Sequence, residues 1–271
     1  MGFLFGKKKI EGKTAEEWFD LGLKEKDPKK KIEYYSKYLK LDPKDAVAWI
    51  SKGVALHKLG RYEEAIICFD KAIDIDPKDV AVATCAWYNK GNALDKLGRY
   101  EEAIRCYDKA LEIDPKNVGG WENKGVALRK LGRYEEAIRC YDRMLEIGLK
   151  DADAWKHKGF AFLKLGRYEE ALRCYDRALE IDPKDAVAWI NKGVTLHKLG
   201  RYEEAIRCYD KALEIDPGYE RAKNNKKLAE EKLKEESKPE IEVVLLEKTF
   251  KPNYWKRLNL IVRNKGNAHA K

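Results

Sequence analysis

One motif recurs along most of this chain at a near-constant interval. The hexapeptide Gly-Arg-Tyr-Glu-Glu-Ala begins at residues 60, 98, 132, 166 and 200, and tryptophan stands at residues 49, 87, 121, 155 and 189. Successive copies are 34 residues apart, except that the first two are 38 residues apart. A unit of this length cannot bury its apolar face alone, so the repetition predicts an array of stacked units.

Each unit has the pattern of two helices joined by a tight turn. Between Asp45 and Leu59, apolar or small residues stand at positions 46, 49, 53 and 56, and a second apolar face runs from Tyr62 to Ile75. Both spacings are helical. A glycine after Leu59 permits a left-handed helix end, and Pro77 stops the second helix. No alternation of period two occurs before residue 241, so the body of the chain is predicted to be all-α.

The pattern makes two finer predictions about these helices. Four extra residues precede Trp87, and four residues are close to one helical turn, so the first helix of that unit should begin near Val80 without rotating its buried face. A glycine such as Gly53 recurs inside every first helix, where it costs about 1 kcal/mol relative to alanine. Close approach of the paired helix explains it, with Ala65 as the expected facing residue.

Taken together, these features resemble those of a known family. The pattern Trp49, Gly53, Ala65, Phe69, Ala72, Pro77, repeated every 34 residues, is similar to the tetratricopeptide repeat, and the resemblance covers residues 14–217. It implies a right-handed α-solenoid of helix-turn-helix repeats with a concave groove. Binding of a protein or peptide in that groove is the usual role of the family.

The repeats divide the chain into five expected segments. A degenerate repeat with Trp18, Gly22 and Tyr35 precedes the regular ones, but it is three residues shorter and Lys31 replaces the small alanine. The expected segments are a basic tail at 1–13, the degenerate first repeat at 14–48, five tandem repeats at 49–217, a capping helix at 218–237 and a basic β-like tail at 238–271. The last segment has the pattern of two strands and resembles, over a short stretch, the start of a β-sandwich domain.

Charge is concentrated at the two ends of the chain. The formal net charge is +9, but residues 1–13 carry +3 and residues 248–271 carry seven basic residues and no acid, so the body is close to neutral. This disfavours nucleic acid as a partner of the repeats. No apolar run approaches the ~20 residues that span a bilayer, and charge follows the apolar start, which is the wrong order for a secretory signal. A cytoplasmic location is therefore expected.

Residue types that carry chemistry do not form a catalytic pattern. Five of the six cysteines share one register of the second helix, and equivalent residues of stacked repeats lie too far apart for a disulfide. They are expected to be small packing residues. His57 and His197 occupy one register four repeats apart, and no nucleophile and base are brought together. The sequence predicts no enzyme, metal or cofactor.

The positions that differ between otherwise similar repeats are the candidate binding residues. Residues one, five and eight after each tryptophan share a helical face, here called the first-helix stripe. Its sets are Ile50, Val54, His57; Tyr88, Asn92, Asp95; Glu122, Val126, Arg129; Lys156, Phe160, Leu163; and Ile190, Val194, His197. In the resembled family this stripe lines the groove, and its mixed character suits an extended peptide or a partner helix. Drift on a solvated face is the alternative, favoured by the identity of the first and fifth sets.

Asparagines beside the stripe add a possible amide ladder. Two residues after the tryptophans stand Ser51, Asn89, Asn123, His157 and Asn191. Amides can both donate to and accept from a ligand backbone, as some members of the family do, although local hydrogen bonds explain a helical asparagine equally well. The family's carboxylate clamp is not assigned, since Tyr88 stands where the clamp has lysine.

These observations predict a scaffold that binds a partner segment in the groove. A structural, homo-oligomerising role is the alternative. Contact of the basic C-terminal tail with nucleic acid or an anionic membrane, through Phe250, Tyr254 and Trp255, is a third and disfavoured reading.

Overall fold

A computed structural model describes residues 8–148 and 151–237 with their side chains, and the backbone of residues 241–244 and 261–264. Thirteen α-helices lie in the described part of the chain. Their bounds are α1 Ala15–Lys24, α2 Pro28–Leu41, α3 Ala46–Lys58, α4 Tyr62–Ile75, α5 Val80–Lys96, α6 Tyr100–Ile113, α7 Val118–Lys130, α8 Tyr134–Ile147, α9 Ala152–Lys164, α10 Tyr168–Ile181, α11 Ala186–Lys198, α12 Tyr202–Ile215 and α13 Glu220–Glu236. The predicted all-α body of paired helices is confirmed.

Local sequence signals set the start and end of each helix. The side chain of the residue before each first helix, such as Asp45 or Asn117, accepts a hydrogen bond from a backbone N–H of the first turn. The glycine that follows each first helix from α3 to α11 has a positive φ of 73–76°, which reverses the chain into the second helix. Helix α5 begins at Val80, capped by Asp79, as the four extra residues predicted.

Two compact units divide the chain, Met1–Glu170 and Ala171–Lys271. In the first unit, α1 packs on α2, α3 on α4, α5 on α6 and α7 on α8. Each second helix also packs on the next first helix, up to α8 on α9. The shortened first repeat therefore forms a hairpin despite Lys31. In the second unit, α11 packs on α12 and α12 on α13.

The mid-helix glycines make room for an aromatic ring. A Cβ on Gly53 would lie 2.6 Å from Cε1 of Phe69, and a Cβ on Gly125 would lie 2.6 Å from Cε1 of Tyr141. The expected close approach of the paired helix is therefore correct. The group that requires a glycine at this position is the aromatic ring of the second helix. The facing alanine, Ala65, is buried one helical turn before Phe69.

The cysteines of the second helices are core residues, as predicted. Cys68, Cys106, Cys140, Cys174 and Cys208 are buried. Burial raises the thiol pKa of Cys68 and Cys140 to about 11, so both stay protonated at neutral pH. Cys85, near the start of α5, is exposed.

The C-terminal segment contains two paired strands. Strands β1 Ile241–Val244 and β2 Ile261–Asn264 are antiparallel, with Ile241 opposite Asn264 and Val244 opposite Ile261. Both strands lie within the segment 238–271, where the sequence predicted two strands. The candidate tail residues Phe250, Tyr254 and Trp255 lie outside the described residues.

Candidate functional site

The first-helix stripe of the first unit presents half-buried side chains. Val54, Asn92, Val126 and Phe160, the fifth residues after their tryptophans, are all half-buried. So are Tyr88, Glu122 and Lys156, three of the residues that directly follow a tryptophan. Ile50 is the exception, with 9% of its side chain exposed. The stripe is therefore neither sealed in the core nor freely solvated.

A hydrogen-bond network joins the stripe of α5 to that of α7. The Tyr107 hydroxyl lies 2.9 Å from Asn92 Oδ1, and Asn123 Nδ2 donates to Asn92 Oδ1 at 2.8 Å and to the Tyr88 hydroxyl at 3.0 Å. Lys130 pairs with Asp95 at 2.7 Å on the same two helices. These contacts fix the stripe residues of the two helices relative to each other.

The amides beside the stripe have partners of their own. Asn89 Nδ2 donates to the Cys85 carbonyl within its own helix at 2.8 Å, and the donors of Asn123 are used in the network. Asn191 is buried, with 5% of its surface exposed. Binding of a ligand by a ladder of these amides stays a prediction. In this conformation Asn89 makes a hydrogen bond within its own helix, which was the alternative explanation for an asparagine at this position.

The stripe continues from α7 to α9 through a cation–π contact. The Arg129 guanidinium lies 4.9 Å from the centre of the Phe160 ring, and the His157 ring lies 5.6 Å from that of Tyr141. Arg129 Nε and the Tyr141 hydroxyl are buried and have no hydrogen-bond partner among the described residues. Two buried donors thus lie unused at this part of the stripe.

Burial shifts the pKa of one residue beside the stripe, His157, and of one stripe residue, Glu122. It lowers the pKa of His157 to about 4, assisted by the positive charges of Arg129 and Lys156. The ring is therefore neutral at pH 7. Burial also raises the pKa of Glu122, and the nearby Asp151 and Asp153 add to this.

The second unit carries the fifth stripe set on α11. Ile190 is fully buried and Asn191 nearly so, whereas Val194 is half-buried. Ile190 and Asn191 were expected to line the groove; in this conformation both side chains are buried, and their role in ligand binding stays a prediction. Ile190 instead belongs to a core cluster with Leu196 and Tyr209.

A pocket at the start of the first unit was not predicted from the sequence. This end pocket lies between α1, the start of α2 and α3, and its volume is about 230 Å³. Its lining residues are Leu23, Lys26, Pro28, Lys31, Tyr35, Ile50, Ser51, Val54, Ala55 and Lys58. Three of them, Ile50, Ser51 and Val54, were singled out from sequence, but the lysines come from helix ends that the stripe does not include.

Two other clefts repeat a common lining. One lies beside Trp87 and Lys90 and the other beside Trp189 and Lys192, each with a volume of about 450 Å³ and the same residue types from the second helix. Because the lining recurs in register, these clefts are a consequence of the repeat rather than a distinguishing site.

Across the described residues, His, Cys, Asp and Glu form no group of three or more that could hold a metal ion. Within the same part of the chain, no helix combines the length and the apolar character needed to cross a membrane.

Known proteins resemble this chain along its repeats. An uncharacterised protein of Methanocaldococcus jannaschii is 43% identical over 67 residues, which are 24% of this chain and 78% of that protein. Superkiller protein 3 of Saccharomyces cerevisiae is 38% identical over 55 residues, which are 20% of this chain and 4% of that protein.

Solved structures share the fold over a longer stretch. YrrB, described as a tetratricopeptide repeat protein with an unusual peptide-binding site, is 28% identical with a TM-score of 0.61, covering 72% of this chain and 99% of that one. MamA of Desulfovibrio magneticus RS-1 is 21% identical with a TM-score of 0.59, covering 65% of this chain and 97% of that one.

Family models agree with these likenesses. A tetratricopeptide repeat model matches residues 46–79, 84–117, 152–185 and 186–219, and a second model of the same repeat matches residues 106–139. The chain belongs to the tetratricopeptide repeat family.

Proposed function

We propose that this protein is a non-enzymatic scaffold that binds a segment of a partner protein along its first-helix stripe. Within the first unit, the candidate surface runs over α3, α5, α7 and α9. In the second unit, the half-buried Val194 of α11 is a separate candidate.

Contact between the stripe residues of successive helices is the observation that carries the proposal. Asn123 of α7 bonds to Tyr88 and Asn92 of α5, and Arg129 of α7 lies over Phe160 of α9. A set of variable residues that touch one another from helix to helix forms one surface. Scattered drift on a solvated face would not need such contacts.

Two further observations support a peptide-like ligand. The half-buried stripe residue Arg129 has a guanidinium N–H, at Nε, without a partner in the described residues, and an extended segment carries acceptors that would use it. YrrB, which shares the fold at 28% identity, is described as having a peptide-binding site. Families of this kind generally act through protein contacts and not through catalysis.

Selection of ligands from a random peptide library displayed on phage tests the proposal. Val126→Ala combined with Phe160→Ala should weaken binding of the selected peptides at least tenfold, because both side chains are half-buried stripe residues. The matched control is Arg105→Ala with Arg139→Ala, two exposed second-helix residues, which should change affinity less than twofold. Circular dichroism must show the same helicity in all three proteins.

Two results would contradict the proposal. One is a set of ligands that bind the Val126 and Phe160 variant as tightly as the unchanged protein. The other is the absence of any selected ligand together with concentration-dependent self-association in light scattering, which would favour the homo-oligomeric role.

A further inference from the structure

The floor of the end pocket is apolar and partly open. Ile50 and Val54 of α3 face Leu23 of α1, and Leu23 is 54% exposed although it is a large apolar residue. Tyr35, which is 1% exposed, closes the pocket from α2. A cavity of roughly 150 Å³ lined by apolar side chains can hold a benzene molecule. The end pocket, at about 230 Å³, therefore has room for one apolar side chain.

The rim of the same pocket is basic. Lys26 follows α1, Lys31 lies near the start of α2 and Lys58 ends α3. Among the described residues, no carboxylate lies within ion-pair distance of these three ammonium groups, although such pairs recur along the repeats, as between Lys90 and Asp70.

The acidic residues adjacent to the rim lysines in sequence bind backbone N–H groups, and Glu25 also interacts electrostatically with Lys31. Glu25 accepts hydrogen bonds from the backbone N–H groups of Lys26 and Asp27, at 2.8 and 3.0 Å. The Asp27 side chain caps α2 by accepting from the Lys29 N–H at 2.9 Å. Residues 24–31 carry five lysines against these two acids. The rim therefore has a local excess of positive charge in a chain whose repeats are otherwise balanced.

One residue that lines this pocket departs from the pattern of the later repeats. Lys31 stands four residues before Tyr35, at the register where the next repeat has Ala65 four residues before Phe69. Ala65 is fully buried, whereas Lys31 is half-buried. A lysine stem can line apolar surface while its ammonium group reaches water, so Lys31 lines the pocket and adds positive charge at its edge.

We propose that the end pocket binds a partner segment in which an acidic side chain neighbours an apolar side chain. The apolar side chain enters between Leu23 and Val54, and the carboxylate lies on the rim formed by Lys26, Lys31 and Lys58. The proposal rests on the proposed function, since it names the chemistry of the partner at one end of the first-helix stripe. Charge complementarity selects the acid, and the pocket volume selects the apolar neighbour.

Peptides selected against the full chain provide the probes. They are synthesised with both termini blocked, so that every carboxylate belongs to a side chain, and their binding is measured by fluorescence anisotropy at low and high salt. We expect enrichment of Asp or Glu beside an apolar residue. Lys31→Ala with Lys58→Ala should weaken binding at least tenfold and reduce its dependence on salt.

Matched variants separate the pocket from general effects. Lys116→Ala with Lys184→Ala removes the same charge from two exposed loop positions and should change affinity less than twofold. Leu23→Ser should weaken binding at least threefold, whereas Ile67→Ser, at a residue of similar exposure on α4, should not. Thermal melts followed by circular dichroism establish that each variant is folded.

The outcomes distinguish this inference from the proposed function. Ligands that lack acidic residues and bind the Lys31 and Lys58 variant with unchanged affinity would overturn the end pocket while leaving the stripe as a binding surface. Failure of the unchanged protein to select any peptide would overturn both proposals.

Discussion

The second-helix aromatic residues meet different surroundings in successive repeats. Phe69 packs in an apolar cluster that includes Val54, whereas the hydroxyl of Tyr107 is hydrogen-bonded to Asn92. Tyr141 faces the register where Val126 replaces the asparagine, and its hydroxyl is buried without a partner in the described residues. The repeat of Tyr141 therefore carries a hydroxyl that its described neighbours do not satisfy.

Phenylalanine substitutions at these two tyrosines should have opposite effects. Tyr107→Phe removes a hydrogen bond and should lower the free energy of unfolding by about 1 kcal/mol. Tyr141→Phe removes a buried hydroxyl without a described partner, so the same quantity should stay constant or rise by about 1 kcal/mol. Urea denaturation followed by circular dichroism measures both, and a loss at Tyr141 equal to that at Tyr107 would show that its hydroxyl has a partner.

His157 makes the protein sensitive to acid. Its pKa is about 4 in the folded chain because the ring is buried, while an unfolded histidine titrates near 6.5. As the pH falls from about 6.5 towards 4, His157 binds a proton in the unfolded state but stays neutral in the folded state. The free energy of unfolding must therefore decrease over this window, and full stability is present only above it.

Asparagine at this position should remove that part of the acid sensitivity. Asn89, Asn123 and Asn191 occupy the same register, so His157→Asn suits the helix. Between pH 7 and pH 4.5, the unchanged protein should lose on the order of 2 kcal/mol more than the variant in urea denaturation. Equal losses in the two proteins would mean that the ring accepts a proton in the folded state.

At the scale of the helices, the sequence predicted the elements well. Capping residues and Pro77 lie next to the helix ends that they determine, and the 34-residue period repeats them. Such local signals predict helix bounds without knowledge of the rest of the fold. The start of α5 at Val80 followed from counting four residues against one turn. Contacts between repeats were harder to predict from the sequence, because they depend on how far each side chain extends towards the next helix.

Gly53 and Ile190 illustrate that limit. The periodic glycine signalled a close approach, but only the structure shows that the ring of Phe69 requires it. Ile50 and Ile190 belong to identical stripe sets, yet Ile190 is fully buried while Ile50 lines the end pocket. The residues at the pocket rim were missed because they lie at helix ends, outside any periodic pattern, and the replacement of alanine by Lys31 was the available signal.

The extra turn of α5 allows a test of helical register. Deleting residues 80–83 leaves Asp79 followed by Thr84, Cys85, Ala86 and Trp87, which matches the spacing at Asp45 and Trp49. The variant should keep its cap and lose only about 1 kcal/mol of stability, from the buried Ala83 and half-buried Val82.

A shorter deletion is the informative control. Removing only residues 80 and 81, both exposed, rotates the entry of the chain by about 200° around α5, since each helical residue turns the chain by about 100°. We expect this smaller deletion to lower the melting temperature more than the four-residue deletion. The opposite order in circular dichroism melts would show that the loop before α5, and not the register, determines the stability.

At the scale of the whole molecule, repeating ion pairs connect neighbouring helices in each unit. Lys90 pairs with Asp70 and Lys124 with Asp108 in the first unit, while Lys192 pairs with Asp176 in the second. Pairs at the surface contribute little, about 0–1 kcal/mol each, so they fix register more than they hold the array together. Apolar burial between successive helices has to supply the stability, and the last helix of the array therefore needs a cover.

Helix α13 provides that cover in the second unit, and truncation tests it. Ala222 and Ala229 are fully buried and Tyr219 packs on the cluster that contains Cys208 and Tyr209 of α12. A chain ending at residue 217 should melt about 5 °C or more below the full chain and self-associate in light scattering, because it exposes this apolar face. A chain ending at residue 237 keeps the cover and should retain the full melting temperature. Equal melting of the two shortened chains would show that α12 needs no cap.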